Sequence, residues 1–119
     1  MKTPGPDHPI TIVRNGGRVR VLFAGRTVAD TSRALTLKEA HYPPVHYVQR
    51  ADAEMSLLTR TPHHTHCPYK GEASYFTITA GGRSAENAVW SYEQPFPAVA
   101  DIKEYLAFYP DRVDAIEEG

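Results

Sequence analysis

Short runs of alternating polar and apolar residues, separated by turn residues, recur along most of the chain. In RVRVLFA, the apolar Val19, Val21 and Phe23 share one face of a predicted strand, and Arg18 and Arg20 share the other. Along most of the chain the same kind of pattern returns after only a few residues, which favours short turns over crossover helices between strands. The spacing therefore predicts a mainly β protein with antiparallel pairing.

The strand pattern extends from near the start of the chain to its end. The predicted strands are ITIV, RVRVLFA, RTVADTS, LTLKEA, VHYVQR, ASYFTITA, AVWSYEQ and RVDAI. Between the first two lies Arg14-Asn15-Gly16-Gly17, which is typical of a hairpin turn. Gly81-Gly82 predicts a second turn, between ASYFTITA and AVWSYEQ.

Two segments carry helical signals instead. Asp52 can cap one or two helical turns that continue through Leu58, and Pro62 would end this short helix. The clearer helix would begin at Pro97 and stop at Pro110. Apolar residues recur in it at helical spacing, so one side is expected to pack on the sheet. They are Val99, Ile102, Leu106 and Tyr109.

The composition limits the partners and the location of the protein. With 119 residues and a formal net charge of -1, the chain has no bulk field that would recruit nucleic acid or an anionic membrane. Residues 1–9 hold three prolines and are expected to form a flexible or docking arm, followed by a single β-rich domain over residues 10–119. A start without an apolar run and a single cysteine favour a cytoplasmic location.

The stretch HHTHCPYKG, residues 63–71, concentrates residues that could carry chemistry. Its histidines and Cys67 are of the types that zinc prefers. Neighbouring residues of an extended chain point to opposite faces, so the run could supply about two ligands, with His41 or His46 needed from elsewhere. Exposed histidines are the better interpretation, and we expect neither a metal nor a cofactor.

Cys67 and Lys70 are the candidate catalytic residues. A thiol becomes a nucleophile when cationic neighbours lower its pKa, and His66 and Lys70 could play this part. Lys70 could alternatively assist nucleotidyl or phosphoryl transfer. A lone cysteine is more often a buried small apolar residue, and whether the protein is an enzyme stays open.

A small-molecule ligand is the leading hypothesis. Lys70 and Arg50 could hold a phosphate or a carboxylate. Aromatic residues on the predicted strands could enclose the rest of an anionic ligand. The expected ligand-binding residues are Tyr47, Arg50, Lys70, Tyr75, Trp90 and Tyr92. A different interpretation is a structural module, in which the aromatic strip would be a homodimer or partner surface.

Two stretches, THCPYKGEASYFTI and AVWSYEQPFPAVADIKEYLAFYPDRVDAI, resemble the bacterial family catalogued as domain of unknown function 427. The resemblance covers residues 10–117 and implies an antiparallel, mainly β domain related to β-tent folds. The motif residues are Cys67, Pro68, Lys70, Gly71, Ala73, Trp90 and Tyr92.

The resemblance also bears on the fold and the chemistry expected. The family is sometimes filed as nucleotidyltransferase-like, although the Gly-Ser and paired-Asp signature of familiar nucleotidyltransferases is missing here. The Cys-Xaa-Xaa-Cys zinc knuckles of β-tent relatives are missing too. We thus expect a compact antiparallel sheet or a partly closed β-tent or barrel-like domain, with one short helix and a C-terminal helix.

Overall fold

A computed structural model describes residues 1–119, and most of the ordered structure is β-strand. Three short 3₁₀ helices interrupt ten strands. The strands are β1 (Ile10–Asn15), β2 (Val19–Phe23), β3 (Arg26–Thr31), β4 (Ala34–Glu39), β5 (Val45–Tyr47), β6 (Leu58–Cys67), β7 (Gly71–Ala80), β8 (Arg83–Ser91), β9 (Ala107–Phe108) and β10 (Ala115–Glu118). The 3₁₀ helices are Arg50–Asp52, Met55–Leu57 and Pro97–Ile102.

The strands form three separate antiparallel sheets. Their orders are β1-β4-β5, β10-β2-β3 and β6-β7-β8-β9. The prediction of a mainly β protein with antiparallel pairing is confirmed. The sheets do not close into a barrel, so the barrel-like alternative is wrong.

The predicted hairpin between the first two strands does not form. β1 pairs with β4, with Asn15 opposite Ala34, whereas β2 pairs with β3 and β10. The Asn15 side-chain oxygen accepts a hydrogen bond of 2.9 Å from the backbone N–H of Gly17, which turns the chain locally. The chain bends at Gly17, but the prediction of a hairpin turn is wrong, because the packing of whole sheets decides the partner of each strand.

The short helix predicted after Asp52 is replaced by two 3₁₀ turns. The Asp52 carboxylate does not cap a helix, because it accepts hydrogen bonds from Thr31 (2.7 Å) and Arg33 (2.8 Å). Leu58 already begins β6, which runs through Pro62 at a point where its register with β7 shifts. β6 is an edge strand, where a proline is tolerated because one side has no ladder to join.

The predicted C-terminal helix is wrong. Only Pro97–Ile102 is helical, as a 3₁₀ segment with a non-helical backbone at Val99, and β9 follows at Ala107. Leu106 exchanges two backbone hydrogen bonds of 2.8 Å with Val48, which replace the bonds that a helix would have made. The apolar spacing did identify buried positions, because Val99, Ile102 and Leu106 are fully buried.

The apolar interior consists of two clusters, and β7 contributes to both. Phe76 and Ile78 belong to the larger cluster, which also includes Val21 from β2. Ala73 and Tyr75 belong to the smaller cluster, which lies close to the candidate site. The alternation of side chains along β7 therefore divides the interior between two faces of one sheet. None of the helical segments has the length and apolar character that crossing a membrane requires.

The first nine residues lie against the turn between β6 and β7. The backbone N–H of Lys2 donates to the carbonyl oxygen of Pro68 at 2.8 Å, and the ring of His8 stacks on Tyr69 with centroids 3.9 Å apart. The carbonyl oxygen of Pro9 accepts a 2.8 Å hydrogen bond from Ala40. These contacts bring the start of the chain to the edge of the candidate site.

Candidate functional site

The CPYKG segment is a turn that carries Lys70 into the interior. β6 ends at Cys67 and β7 begins at Gly71, whose backbone has a φ of 109°. This conformation favours glycine, because a side chain would be strained there. The Lys70 carbonyl oxygen accepts a 3.0 Å hydrogen bond from the backbone N–H of Phe96, which holds the turn in place. Lys70 itself is only 8% exposed, which is rare for a lysine.

Lys70 shares a carboxylate with His8. Its ammonium donates to one oxygen of Glu39, at the end of β4, and the other oxygen is 2.7 Å from the Nε2 atom of His8. Burial opposes ionisation of Glu39, but the hydrogen bonds from Lys70 and His8 outweigh it and lower the pKa of this carboxyl. The site therefore contains an ionised carboxylate beside a buried ammonium.

A cavity of about 170 Å³ opens beside this ion pair. Glu39 and Lys70 are its charged residues, and most of the others are aromatic or aliphatic. The lining residues are Leu37, Glu39, Tyr42, Pro43, Val45, Tyr47, Lys70, Tyr75, Trp90, Tyr92 and Tyr109. An apolar cavity with a small number of converging polar groups is typical of a small-molecule site.

Hydrogen bonds fix most of the aromatic side chains in the wall. The Trp90 indole donates to the Tyr47 hydroxyl at 3.3 Å. The Tyr75 hydroxyl is hydrogen-bonded to that of Tyr109 (3.2 Å) and to Thr65 (2.8 Å). The part of the wall around Tyr75 and Tyr109 is thus arranged before any ligand arrives, which reduces the entropy lost on binding.

The hydroxyls of Tyr47, Tyr92 and Tyr109 in this wall stay protonated. Burial raises the pKa of Tyr47 and of Tyr92 above the ordinary value. Burial, together with the hydrogen bond to Tyr75, raises the pKa of Tyr109 to about 12. At neutral pH these groups can donate a hydrogen bond or accept one, and they add no negative charge to the cavity.

The structure brings together most of the residues expected to bind a ligand, but not Arg50. Tyr47, Lys70, Tyr75, Trp90 and Tyr92 all line the cavity. Arg50 lies outside it and donates to Glu93 at 2.9 Å, to Ser91 at 3.1 Å and to the Glu104 carbonyl at 2.7 Å. The two cations expected to hold one anion therefore belong to separate clusters.

Sequence reasoning missed Glu39 and Tyr109. Glu39 ends an alternating strand, but nothing local indicates that it would meet a lysine 31 positions later. The helical spacing places Tyr109 in a helix that the structure does not contain. Tyr109 instead follows β9, and the centroid of its ring lies 4.5 Å from that of Trp90. A buried lysine needs a carboxylate partner, and that requirement is the signal that could have prompted a search for Glu39.

Cys67 does not line the cavity. It is half-buried at the end of β6 and packs against the smaller apolar cluster. The side chains expected to activate it are engaged elsewhere, since His66 is bonded to Glu72 at 2.6 Å and Lys70 to Glu39. Neither His66 nor Lys70 is hydrogen-bonded to the Cys67 thiol.

The histidines of this stretch lie on the exposed edge strand β6. His63 packs edge-on against Tyr75 with ring centroids 4.5 Å apart, while His64 is exposed. His41 and His46 do not join them. No group of three or more His, Cys, Asp or Glu side chains is placed to hold a metal ion.

The fold and the site define a small protein of three antiparallel sheets with an aromatic cavity beside a buried ion pair. Residues 11–119 match the family described as Domain of unknown function (DUF427), and the chain belongs to this family. The resemblance predicted from CPYKG and the later aromatic motif is confirmed. Comparison with curated proteins found no match to this chain.

Proposed function

We propose that the protein binds a small anionic ligand in the cavity beside Lys70. The observation that carries the proposal is the burial of Lys70 at a cavity whose other walls are mainly aromatic. A buried ammonium is costly to maintain, and placing it at a preformed cavity is typical of a group that orients a ligand.

The charges at the site are compatible with an added anion. An ammonium has three N–H donors, of which one is used by Glu39, so two can go to a ligand carboxylate or phosphate. His8 and Lys70 share the single carboxylate, and the cluster has a net positive charge when His8 is protonated. Glu39 opposes the ligand charge and thereby limits the affinity.

The cavity size restricts the ligand part that it can hold. About 170 Å³ is below the roughly 300–1,000 Å³ of common ligand pockets. A single ring or a short chain with one charged substituent fits this space. Tyr47, Trp90 and Tyr92 would contact its flat faces.

Three variants test the proposal with benzoate and phenyl phosphate as probes. Trp90 is the single tryptophan, so its fluorescence reports directly on the cavity wall. Lys70→Met should weaken binding about tenfold or more, because a charged hydrogen bond is lost. Glu39→Gln should strengthen binding, because the competing carboxylate is removed.

Lys103→Met is the matched control, since Lys103 is exposed and does not line the cavity. It should bind both probes like the wild type. The proposal loses its basis if neither probe changes the Trp90 fluorescence of the wild type, or if the Lys70 and Lys103 variants bind alike. Unfolding curves of all variants confirm that each is folded.

A further inference from the structure

A second cavity lies where the three sheets meet. Its volume is about 270 Å³, and its wall is mostly aliphatic. The lining residues are Val19, Val21, Pro44, Val45, His46, Val48, Trp90, Phe108, Pro110, Ile116 and Glu118. Apart from Pro44, Val48 and Pro110, they come from β2 and β10 of one sheet, β5 of another and β8 and β9 of the third.

The inner wall of this cavity is buried and apolar, whereas its mouth is polar. Val19, Val21 and Val48 are each 1% exposed. At the mouth, the Nε2 atom of His46 lies 3.1 Å from a carboxylate oxygen of Glu118. The cavity is open at this mouth, so its apolar wall meets water, and the apolar chain of a ligand would be favoured there because it removes that wall from water.

The two cavities are neighbours. Val45 and Trp90 line both of them, and no other residue does. The hydrogen bond that holds the Trp90 indole to Tyr47 is 3.3 Å long, at the weak end of the usual range. A ligand that spans both cavities would have to displace these two side chains, and the combined space would then fall within the range of common ligand pockets.

We propose that the two cavities form one site for an amphipathic carboxylate, whose charged end binds at Lys70 and whose apolar chain extends past Trp90 into the second cavity. This inference rests on the proposed function, because it uses Lys70 as the anchor of the charged end. It adds the class of ligand and the residues that contact its apolar part, among them Val21, Phe108 and Ile116.

The test is a titration with straight-chain carboxylates from butanoate to decanoate, followed by Trp90 fluorescence. Each methylene that enters the second cavity should increase the affinity roughly fourfold, the equivalent of about 0.8 kcal/mol per buried methylene. Butanoate should fit the first cavity alone. Ile116→Phe places a bulkier side chain in the second cavity. It should therefore reduce the gain in affinity for octanoate and decanoate while leaving the affinity for butanoate unchanged.

Ile10→Phe is the matched control, because Ile10 is also half-buried but lines neither cavity. If Ile116→Phe fails to fold, nuclear Overhauser contacts in the wild type replace it. The end of the decanoate chain should then contact the methyl groups of Val19, Val21 and Ile116.

The outcomes separate the two proposals. A wild-type series without a gain per methylene overturns the joined site, while a butanoate affinity that still depends on Lys70 supports the proposed function. Affinities that Lys70→Met does not lower at any chain length overturn the anchor and the joined site together. A gain that persists in Ile116→Phe, or chain contacts away from those three methyl groups, places the chain elsewhere and also overturns the inference.

Discussion

Two carboxylates, Glu39 and Glu93, each hold two basic side chains from other parts of the chain. Glu39 joins β4 to the β6–β7 turn through Lys70. Both carboxylate oxygens of Glu93 accept hydrogen bonds from Arg60, at 2.8 and 2.6 Å, and one of them also accepts a hydrogen bond from Arg50. Bidentate pairs of this kind are among the stronger polar contacts in proteins. These ion pairs connect distant parts of the fold through charged residues that the sequence pattern alone would place on the surface.

Acid stability should depend on Glu93. Hydrogen bonds from Arg60, and then from Arg50, lower the pKa of Glu93 from 4.5 to about 2. A carboxyl whose pKa is lower in the folded state stabilises the fold above its unfolded pKa, and this contribution is lost as the pH falls from about 4.5 towards 2. Urea unfolding at about pH 6 and about pH 2.5 should thus show that the free energies of unfolding of wild type and Glu93→Gln differ less at the lower pH.

Glu86→Gln serves as the control for that experiment, because Glu86 is exposed and forms no ion pair. Its difference from the wild type should be small at both pH values. A gap between wild type and Glu93→Gln that does not narrow on acidification would contradict the assignment.

Gly71→Ala should destabilise the protein by about 1–2 kcal/mol, because an alanine at a φ of 109° is strained. A Cβ atom at this position would meet its nearest neighbour, the Gln94 carbonyl oxygen, at an ordinary 3.5 Å, so strain and not collision is the cause. Chemical denaturation measures the change. Gly5→Ala, at a site with open space and no positive φ, should be close to neutral, and equal effects of the two substitutions would refute this explanation.

At the scale of elements, the 3₁₀ segment Pro97–Ile102 packs two of its side chains into the smaller apolar cluster. Val99 and Ile102 are both fully buried in it. A short, tightly wound segment can insert two apolar side chains while leaving Asp101 and Lys103 in water. Burial against the sheets, and not helix propensity, therefore holds this element in place.

Ile102→Ala should lower the free energy of unfolding by about 2–5 kcal/mol, because it leaves a cavity in a fully buried site. Urea denaturation measures the loss. Asp101→Ala, one position earlier and exposed, should change the stability by only about 0.5 kcal/mol. A similar small effect of both substitutions would mean that the segment is not packed as described.

At the scale of the whole molecule, the candidate site depends on parts that are far apart in the chain. Residues from β4, β5, β7 and β8 line the first cavity, and the arm of residues 1–9 reaches Glu39 through His8. The charged end of the site is therefore complete only when the start of the chain lies on the β6–β7 turn.

Deletion of residues 1–9 should reduce the stability by about 1–3 kcal/mol, because it removes the backbone bonds of Lys2 and Pro9 and the contacts of His8 with Glu39 and Tyr69. Thermal and urea unfolding should remain cooperative, since neither apolar cluster includes these residues. His8→Ala should account for part of the loss. Loss of cooperative unfolding, or no change at all, would contradict the described role of the arm.

Much of the local structure could be predicted from the sequence, because alternation and turn residues act over short distances. The faces of β2, the existence of β7, the Gly81-Gly82 turn and the burial of Val99, Ile102 and Leu106 follow from such patterns. The helix from Pro97 to Tyr109 could not be excluded in this way. Periodicity indicates which residues are buried, but the backbone hydrogen bonds between Leu106 and Val48 decide that this part of the chain is extended.

The sequence by itself determined a mainly β chain of this family and marked the turn that carries Lys70, because motif spacing and side-chain alternation are local properties. Only the tertiary structure decided that β1 pairs with β4 and not with β2. It also decided the two ion pairs, Glu39 with Lys70 and Glu93 with Arg50. These outcomes depend on contacts between residues tens of positions apart. Such contacts are selected by the joint packing of the sheets and by the need to neutralise buried charges, and no local pattern encodes them.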